Sequence, residues 1–164
     1  MFAAVAGITT PIIYRHFGDK SGLYAALAER HTDRLLDALV DALTAGGTSR
    51  ERVQRTVDTY LQVIEAEPQV YRFLVESEEA ATSAGPVRGF LRRLQELLAA
   101  GISHELRLEP DDLRAGIWAA AILGMVQAAG DRWLEQHDCP REALSAELTD
   151  LLWGAYGIAS AAAE

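Results

Sequence analysis

Four side chains that can bind a phosphate group stand close together in the stretch TTPIIYRHFGDKSGLYAAL, residues 9 to 27. They are Tyr14, Arg15, His16 and Lys20, and Lys20 is the only lysine in the sequence. Guanidinium, imidazolium and ammonium groups donate hydrogen bonds to phosphate oxygens, and a phenol can donate to a phosphate or to a base edge. The grouping therefore indicates contact with a polyanion. Considered alone, Lys20 is equally consistent with a solvated surface lysine.

The residues around this group predict two short helices joined by a tight turn. Gly7 suits the left-handed turn after the first helix, while Thr10 and Pro11 suit the cap and first position of the second. Ile13 and Phe17 are four residues apart and can share an inner face. An aromatic residue in a short helix is usually part of a core, but Tyr14 cannot share that face. The arrangement is typical of a helix-turn-helix, whose second helix enters the DNA major groove. The predicted outer surface holds Pro11, Tyr14 and Arg15, flanked by His16 and Lys20.

A second set of residues predicts a small-molecule pocket further along the chain. They give aromatic, sulfur or polar character to helix faces that are otherwise aliphatic, and pockets combine apolar walls with a few placed polar groups. Ordinary core packing is the alternative for each of them. His104 follows apolar residues at helical spacing, which makes a buried imidazole nitrogen one expectation. The predicted ligand-binding residues are Tyr60, Phe90, His104, Trp118 and Met125.

Motifs for catalysis or metal binding are not evident in the sequence. The four histidines, at 16, 31, 104 and 137, do not have HxxxH spacing, and no glycine-rich phosphate loop or serine-centred elbow appears. Cys139 lacks a visible base partner, and a lone cysteine fits a reducing compartment. We therefore predict a cytoplasmic protein that is not an enzyme and needs no cofactor or metal.

Charge and composition limit the remaining classes of protein. With 164 residues, 49% of them hydrophobic and 24% charged, the chain is long and apolar enough to bury a core. The net charge is −9, but residues 1–34 carry a net +1 and the remainder −10. A polyanion would therefore meet the N-terminal end first. The longest apolar run, residues 117–126, is about half a membrane span, so no membrane association is expected.

Helical patterns run through the whole chain, and an all-α fold is predicted because no segment alternates apolar and polar residues for long. A long helix is expected over about residues 22–43, and Thr48 and Glu51 have capping-box spacing for the next. Pro68 and Pro110 are expected to open further helices, and the last helix follows Pro140. The predicted helices cover about residues 22–43, 49–66, 68–77, 87–102, 110–136 and 141–158, with a loop at 78–85.

The last two predicted helices carry more apolar surface than one core requires. Residues 117–126 are apolar on all sides, and the final helix has Leu152, Trp153 and Tyr156 beside its main stripe of Leu144, Leu148, Leu151, Ala155 and Ile158. A two-fold interface between two copies, in the form of a four-helix bundle, would cover this surface. A central helix in a monomer is the alternative.

The stretch AAVAGITTPIIYRHFGDKSGLYAALAER closely resembles the end of the DNA-binding region of TetR-family transcription regulators. The resemblance covers about residues 3–30, while the later helices are compatible with that family's ligand-binding and dimerisation region. It implies a homodimer that reads a double-stranded DNA operator, releases it on binding a small-molecule effector, and pairs through its last two helices. By position it implies DNA contacts for Thr10, Pro11 and Tyr14, and phosphate contacts for Tyr14, His16 and Lys20. Ile12 departs from the family's frequent small polar residue and could instead contact a thymine methyl group.

The front of the sequence also departs from the family pattern. The family has a full first helix and a longer second helix before this point, so residues 1–30 form a partial helix-turn-helix region and residues 31–164 the ligand-binding and dimerisation domain. We expect the sequence to be a trimmed version of a longer regulator. A remnant that senses a metabolite or binds a protein without contacting DNA is the alternative.

Overall fold

The computed structural model describes residues 20–76, 85–109 and 112–161, and it is all-helical within those ranges. No strand occurs in these three segments, which confirms the predicted fold class. The predicted helix-turn-helix lies outside the described residues, apart from Lys20. The six helices are α1 (Lys20–Thr44), α2 (Ser49–Ala66), α3 (Pro68–Glu76), α4 (Pro86–Leu106), α5 (Leu113–Gln136) and α6 (Arg141–Ala161).

Helix α1 is long because its apolar residues recur every three or four positions along one face. The buried residues on that face include Tyr24, Ala28, Leu35, Leu39 and Ala42. Such a stripe buries the same side of the helix over all of its turns. The helix passes without interruption through the predicted domain boundary at residue 30, and its C-terminal half packs against α2 and α4.

Local signals at the N-terminus set where α2, α3, α4 and α5 begin. The Thr48 side chain accepts from the backbone of Glu51, whose carboxylate accepts from the Thr48 backbone at 2.7 Å, so the predicted capping box is present. Pro68 and Pro86 are the first residues of α3 and α4. The expected opening of α5 at Pro110 was wrong by three residues. Asp112 caps the helix instead, because its carboxylate accepts from the Arg114 backbone at 2.9 Å.

The largest core cluster lies between α2, α5 and α6. Leu61, Ile64 and Trp133 are almost fully buried in it. The indole nitrogen of Trp133 donates to the Cys139 carbonyl at 2.8 Å, which ties the α5–α6 connection to the core. Arg141 at the start of α6 adds an ion pair to Asp58 of α2 at 3.1 Å. These contacts attach α6 to α2.

The apolar surface expected on the last two helices is present and largely uncovered. On α5, Leu113 is 79% exposed and Ile117 is 62% exposed, and on α6 Leu151 is 59% exposed. The predicted α6 stripe therefore does not face the core along its whole length, since Leu148 is buried but Leu151 is not. Within the described segments, α5 is also long and apolar enough, by length and composition alone, to cross a bilayer.

Candidate functional site

A cavity of about 410 Å³ lies between α1, α2 and α4, with α3, α5 and α6 completing its wall. Most lining residues are aliphatic. Helix α1 contributes Leu35, Leu39 and Leu43, and α4 contributes residues such as Leu94 and Leu98. The same three- and four-residue spacing that forms the helices also directs these side chains to a shared interior space. A cavity of this size and character matches those that hold small organic ligands.

The cavity is elongated, because its lining follows α1 from His31 to Leu43 and α4 from Val87 to Glu105. At 1.5 Å of rise per residue, the α1 portion alone is about 18 Å long. The two ends differ in chemistry. Tyrosines and His31 lie at one end, and Arg52, His104 and Glu105 lie at the other.

The structure brings together three of the five residues predicted to bind a ligand. Tyr60, Phe90 and His104 line the cavity, but Trp118 and Met125 are not among the lining residues. Met125 packs against the core cluster of α2, α5 and α6 instead, and Trp118 is half-buried elsewhere on α5. His104 is exposed at the cavity end, so the expectation of a buried imidazole nitrogen at this position was wrong.

Two tyrosines and an aspartate form a hydrogen-bonded chain at the first end of the cavity. The Tyr71 hydroxyl donates to Asp131 at 2.5 Å, and the Tyr60 and Tyr71 hydroxyls are 3.1 Å apart. A phenol hydroxyl can donate only one hydrogen bond. Because Tyr71 donates to the Asp131 carboxylate, it must accept from Tyr60. Burial is the main cause that raises the pKa of Tyr60 to about 12, and it also raises the pKa of Tyr71. Both phenols therefore stay protonated in neutral solution. Tyr60 donates its hydrogen bond to Tyr71, and Tyr71 donates to Asp131.

Gly130 on α5 has no side chain, and the ring of Tyr60 packs against it. A Cβ atom at this position would lie 3.2 Å from Cε1 of Tyr60 and 3.0 Å from Cδ1 of Ile64. Both distances are shorter than comfortable carbon–carbon contacts. The absence of a side chain at Gly130 thus allows α5 to approach α2 and places Asp131 within reach of Tyr71.

His31 borders the same end of the cavity and is held in its neutral form. Its Nδ1 atom is 3.4 Å from the Glu67 carboxylate, while its buried Nε2 atom lacks a hydrogen-bond partner in the described part of the chain. Burial lowers the pKa of His31, and the nearby Glu67 carboxylate only partly opposes this effect. A neutral imidazole that donates from Nδ1 to Glu67 leaves Nε2 as an acceptor.

Arg52 lines the opposite end of the cavity. Its guanidinium donates to the Gly47 carbonyl at 2.9 Å and to the Glu105 carboxylate at 3.0 Å. Ser49 donates to the same Glu105 oxygen at 2.9 Å. A carboxylate is therefore already seated between a guanidinium and a hydroxyl at this end of the cavity.

Sequence reasoning missed His31, Arg52, Tyr71 and Glu105 as cavity residues. The four-residue spacing of Leu35, Leu39 and Leu43 could have indicated the cavity face of α1. No local signal could have found the other members, because Tyr71 meets an aspartate 60 positions away and Arg52 meets a glutamate 53 positions away.

The tyrosine chain predicts a loss of stability in alkaline solution. Because the pKa of Tyr60 is about 12 in the folded protein and about 10 in the unfolded chain, the stabilisation is complete below pH ~10 and is lost as the pH rises towards 12. Tyr60 alone should account for roughly 2–3 kcal/mol across this window. Urea unfolding at a series of pH values measures the change. Tyr60→Phe should start about 1 kcal/mol less stable at pH 8 and decline less steeply above pH ~10. Parallel curves for the two proteins would contradict the assignment.

Comparison with known proteins supports the architecture. The family described as tetracyclin repressor-like, C-terminal domain, matches residues 38–164. An uncharacterized HTH-type transcriptional regulator of Mycobacterium tuberculosis is 29% identical over 156 residues, which cover 93% of this chain and 66% of that protein. The HTH-type transcriptional activator FasR of Mycolicibacterium smegmatis is 34% identical over 73 residues, which are 44% of this chain and 33% of that protein. The chain thus spans about two thirds of the length of the mycobacterial regulator that it matches over most of its own length.

Solved structures show the same fold. A TetR-family transcriptional regulator from Streptomyces coelicolor superposes with a TM-score of 0.78 at 22% identity, over 99% of this chain and 71% of that one. A TetR-like transcriptional regulator from Rhodococcus sp. RHA1 superposes with a TM-score of 0.71 at 23% identity, over 94% of this chain and 81% of that one. Because the family match extends over most of the chain, the protein belongs to the tetracyclin repressor-like C-terminal domain family.

Proposed function

We propose that this chain is the effector-binding and dimerising part of a DNA-binding transcription regulator that acts in the cytoplasm as a repressor released by a small molecule. The observation that carries the proposal is the elongated, mostly apolar cavity, which is lined by the helices of a TetR-like domain. The names of the Mycobacterium tuberculosis and Streptomyces coelicolor proteins as transcriptional regulators agree with it.

Helix α1 provides a route from the cavity to the N-terminal segment. It begins at Lys20, and its residues from His31 to Leu43 form part of the cavity wall. A ligand that repositions this wall would also move the start of the same helix. Effector binding would then change the position of the proposed DNA-contacting residues, which are Thr10, Pro11, Ile12, Tyr14, Arg15, His16 and Lys20.

The proposed homodimer forms through α5 and α6. Leu113, Ile117, Ala121, Gly124 and Ala128 are all exposed and recur at helical spacing on α5. Among the described residues, nothing lies within 4 Å of a Cβ atom built at Gly124, so a second helix could approach this position closely. This face combines large and small apolar residues, and no described residue of the same protomer covers it. Such a face fits a two-fold helical interface.

A gel-shift titration of the complete regulator against its operator tests the DNA-binding role. Lys20→Ala should weaken binding and make its salt dependence shallower, by roughly 0.9 in the logarithmic slope for each phosphate that the variant no longer neutralises. Tyr14→Ala should also weaken binding. Arg92→Ala, which removes an exposed cation on α4, outside residues 1–30, is the matched control and should bind as the unaltered protein does.

Unchanged binding in both test variants would remove the assigned DNA contacts. Failure of the complete protein to bind any duplex would instead favour a helical dimer that senses a metabolite or binds a protein, which the net charge of −10 on residues 35–164 would suit. Tighter DNA binding in the presence of ligand would contradict release of the operator by the effector. Increased transcription on DNA binding would make the protein an activator, the role named for the Mycolicibacterium smegmatis relative.

A further inference from the structure

The two ends of the cavity carry different charged groups. The tyrosine end lies beside the carboxylates of Asp131 and Glu67, which bond to Tyr71 and approach His31. The opposite end carries the guanidinium of Arg52, which is paired with the exposed carboxylate of Glu105. An anionic group on a ligand would be repelled at the first end and, once Glu105 has turned away from Arg52, attracted at the second. A ligand with one anionic head therefore has a preferred orientation in this cavity.

Glu105 shows how the Arg52 end receives a carboxylate. One oxygen of its side chain accepts from Arg52 at 3.0 Å and from Ser49 at 2.9 Å. Glu105 itself is exposed and lies at the end of α4, so its side chain can leave for solvent without disturbing the core. Arg52 is additionally anchored by its bond to the Gly47 carbonyl, which would keep the guanidinium in place after Glu105 has left.

The space behind Arg52 is apolar and long. Leu39, Leu94 and Leu98 are among the residues that line it. It extends along about 18 Å of α1, and a twelve-carbon chain spans roughly 13 Å if every three bonds cover about 3.6 Å, as in an extended backbone. A straight alkyl chain that starts at Arg52 would thus remain inside the cavity.

We propose that the cavity binds a long-chain carboxylic acid whose carboxylate replaces that of Glu105 between Arg52 and Ser49, with the alkyl chain directed towards Tyr60 and Tyr71. This inference rests on the proposed effector-binding role of the cavity and names the chemical class of the effector. The head group is recognised by charge-assisted hydrogen bonds, and the chain by burial of apolar surface.

The test compares dodecanoate with dodecanol, which shares its chain length but lacks the charge, by calorimetric titration of the purified protein. Dodecanoate should bind roughly tenfold more tightly, since a hydrogen bond to a charged group contributes enough for such a ratio. Arg52→Gln should abolish this preference. Glu105→Gln should strengthen dodecanoate binding several-fold, because the competing internal carboxylate is gone.

Arg55→Gln is the matched control. Arg55 lies on the same helix and donates to the Ala42 and Gly46 carbonyls, each at 3.2 Å, and it is not one of the cavity-lining residues. This variant should keep the preference for dodecanoate. Thermal unfolding of every variant shows whether the fold is retained, and Arg52→Lys, which keeps the positive charge, should retain part of the preference if the folded site is responsible.

Equal affinity for the two ligands, or a preference that survives in Arg52→Gln, would overturn the proposal. If dodecanol binds as tightly as dodecanoate and releases operator DNA, the proposed regulatory function stands and the carboxylate assignment falls. If neither ligand binds, the assignment of a long-chain acid is wrong, while the gel-shift titration decides the DNA-binding role separately.

Discussion

Replacement of Ile117 by glutamate should convert the proposed dimer into monomers. Ile117 is 62% exposed on α5, one turn beyond the even more exposed Leu113, and would be covered by the second copy. The two-fold symmetry introduces the carboxylate twice, and each buried charge carries a large desolvation cost. A penalty of about 2 kcal/mol for each copy would raise the dimer dissociation constant roughly a thousandfold. Sedimentation velocity over a range of protein concentrations measures this shift.

The matched control for the interface is Leu97→Glu on α4. Leu97 is also a large hydrophobic residue with substantial exposure, but it lies on a different helix from the proposed interface. This variant should sediment as the unaltered protein does. Dissociation of both variants would indicate a general loss of structure, and a dimer that persists in Ile117→Glu would show that another surface joins the protomers.

Truncation of Trp133 should produce the largest loss of folding stability. The side chain is 2% exposed and packs with buried residues of α2 and α6, including Leu61, Ile64 and Leu148. Trp133→Ala should lower the free energy of unfolding by about 3–5 kcal/mol, since a core tryptophan leaves a large cavity. That loss is a considerable part of the ~5–15 kcal/mol that stabilises a typical domain. Urea unfolding followed by circular dichroism, at one protein concentration, provides the measurement.

A graded variant separates packing from hydrogen bonding at the same position. Trp133→Phe keeps an aromatic ring in the core but removes the indole donor to the Cys139 carbonyl. It should cost clearly less than the alanine variant, with about 1 kcal/mol of the loss due to the missing hydrogen bond. Equal losses in the two variants would place the contribution of Trp133 in the α5–α6 connection rather than in the core.

The helices themselves could be predicted because their signals are local. Thr48 and Glu51 are three residues apart, and Pro68 acts at the first turn of its own helix. The stripe on α1 likewise repeats within a few residues. The start of α5 was placed three residues too early, because Pro110 suits a first helical position and only the backbone geometry shows that Asp112 caps the helix.

The residues that line the cavity could be predicted only in part. Tyr60 and Phe90 were identifiable as aromatic residues on aliphatic helix faces, and both line the cavity. Trp118 and Met125 share that description but face elsewhere, because the rotation of α5 about its own axis is decided by packing against α2 and α4. Helical spacing shows which residues share a face, and it does not show which neighbour that face meets.

By itself, the sequence determined an all-helical chain with a basic-leaning N-terminal end, an acidic remainder and two helices richer in apolar residues than one core needs. The tertiary structure alone decided that Tyr71 meets Asp131, that Arg52 meets Glu105 and that a cavity separates these two pairs. The physical reason is range. Helix propensity and capping act over three or four residues, whereas each of these pairs joins two residues more than 50 positions apart in the sequence and forms only when their helices pack.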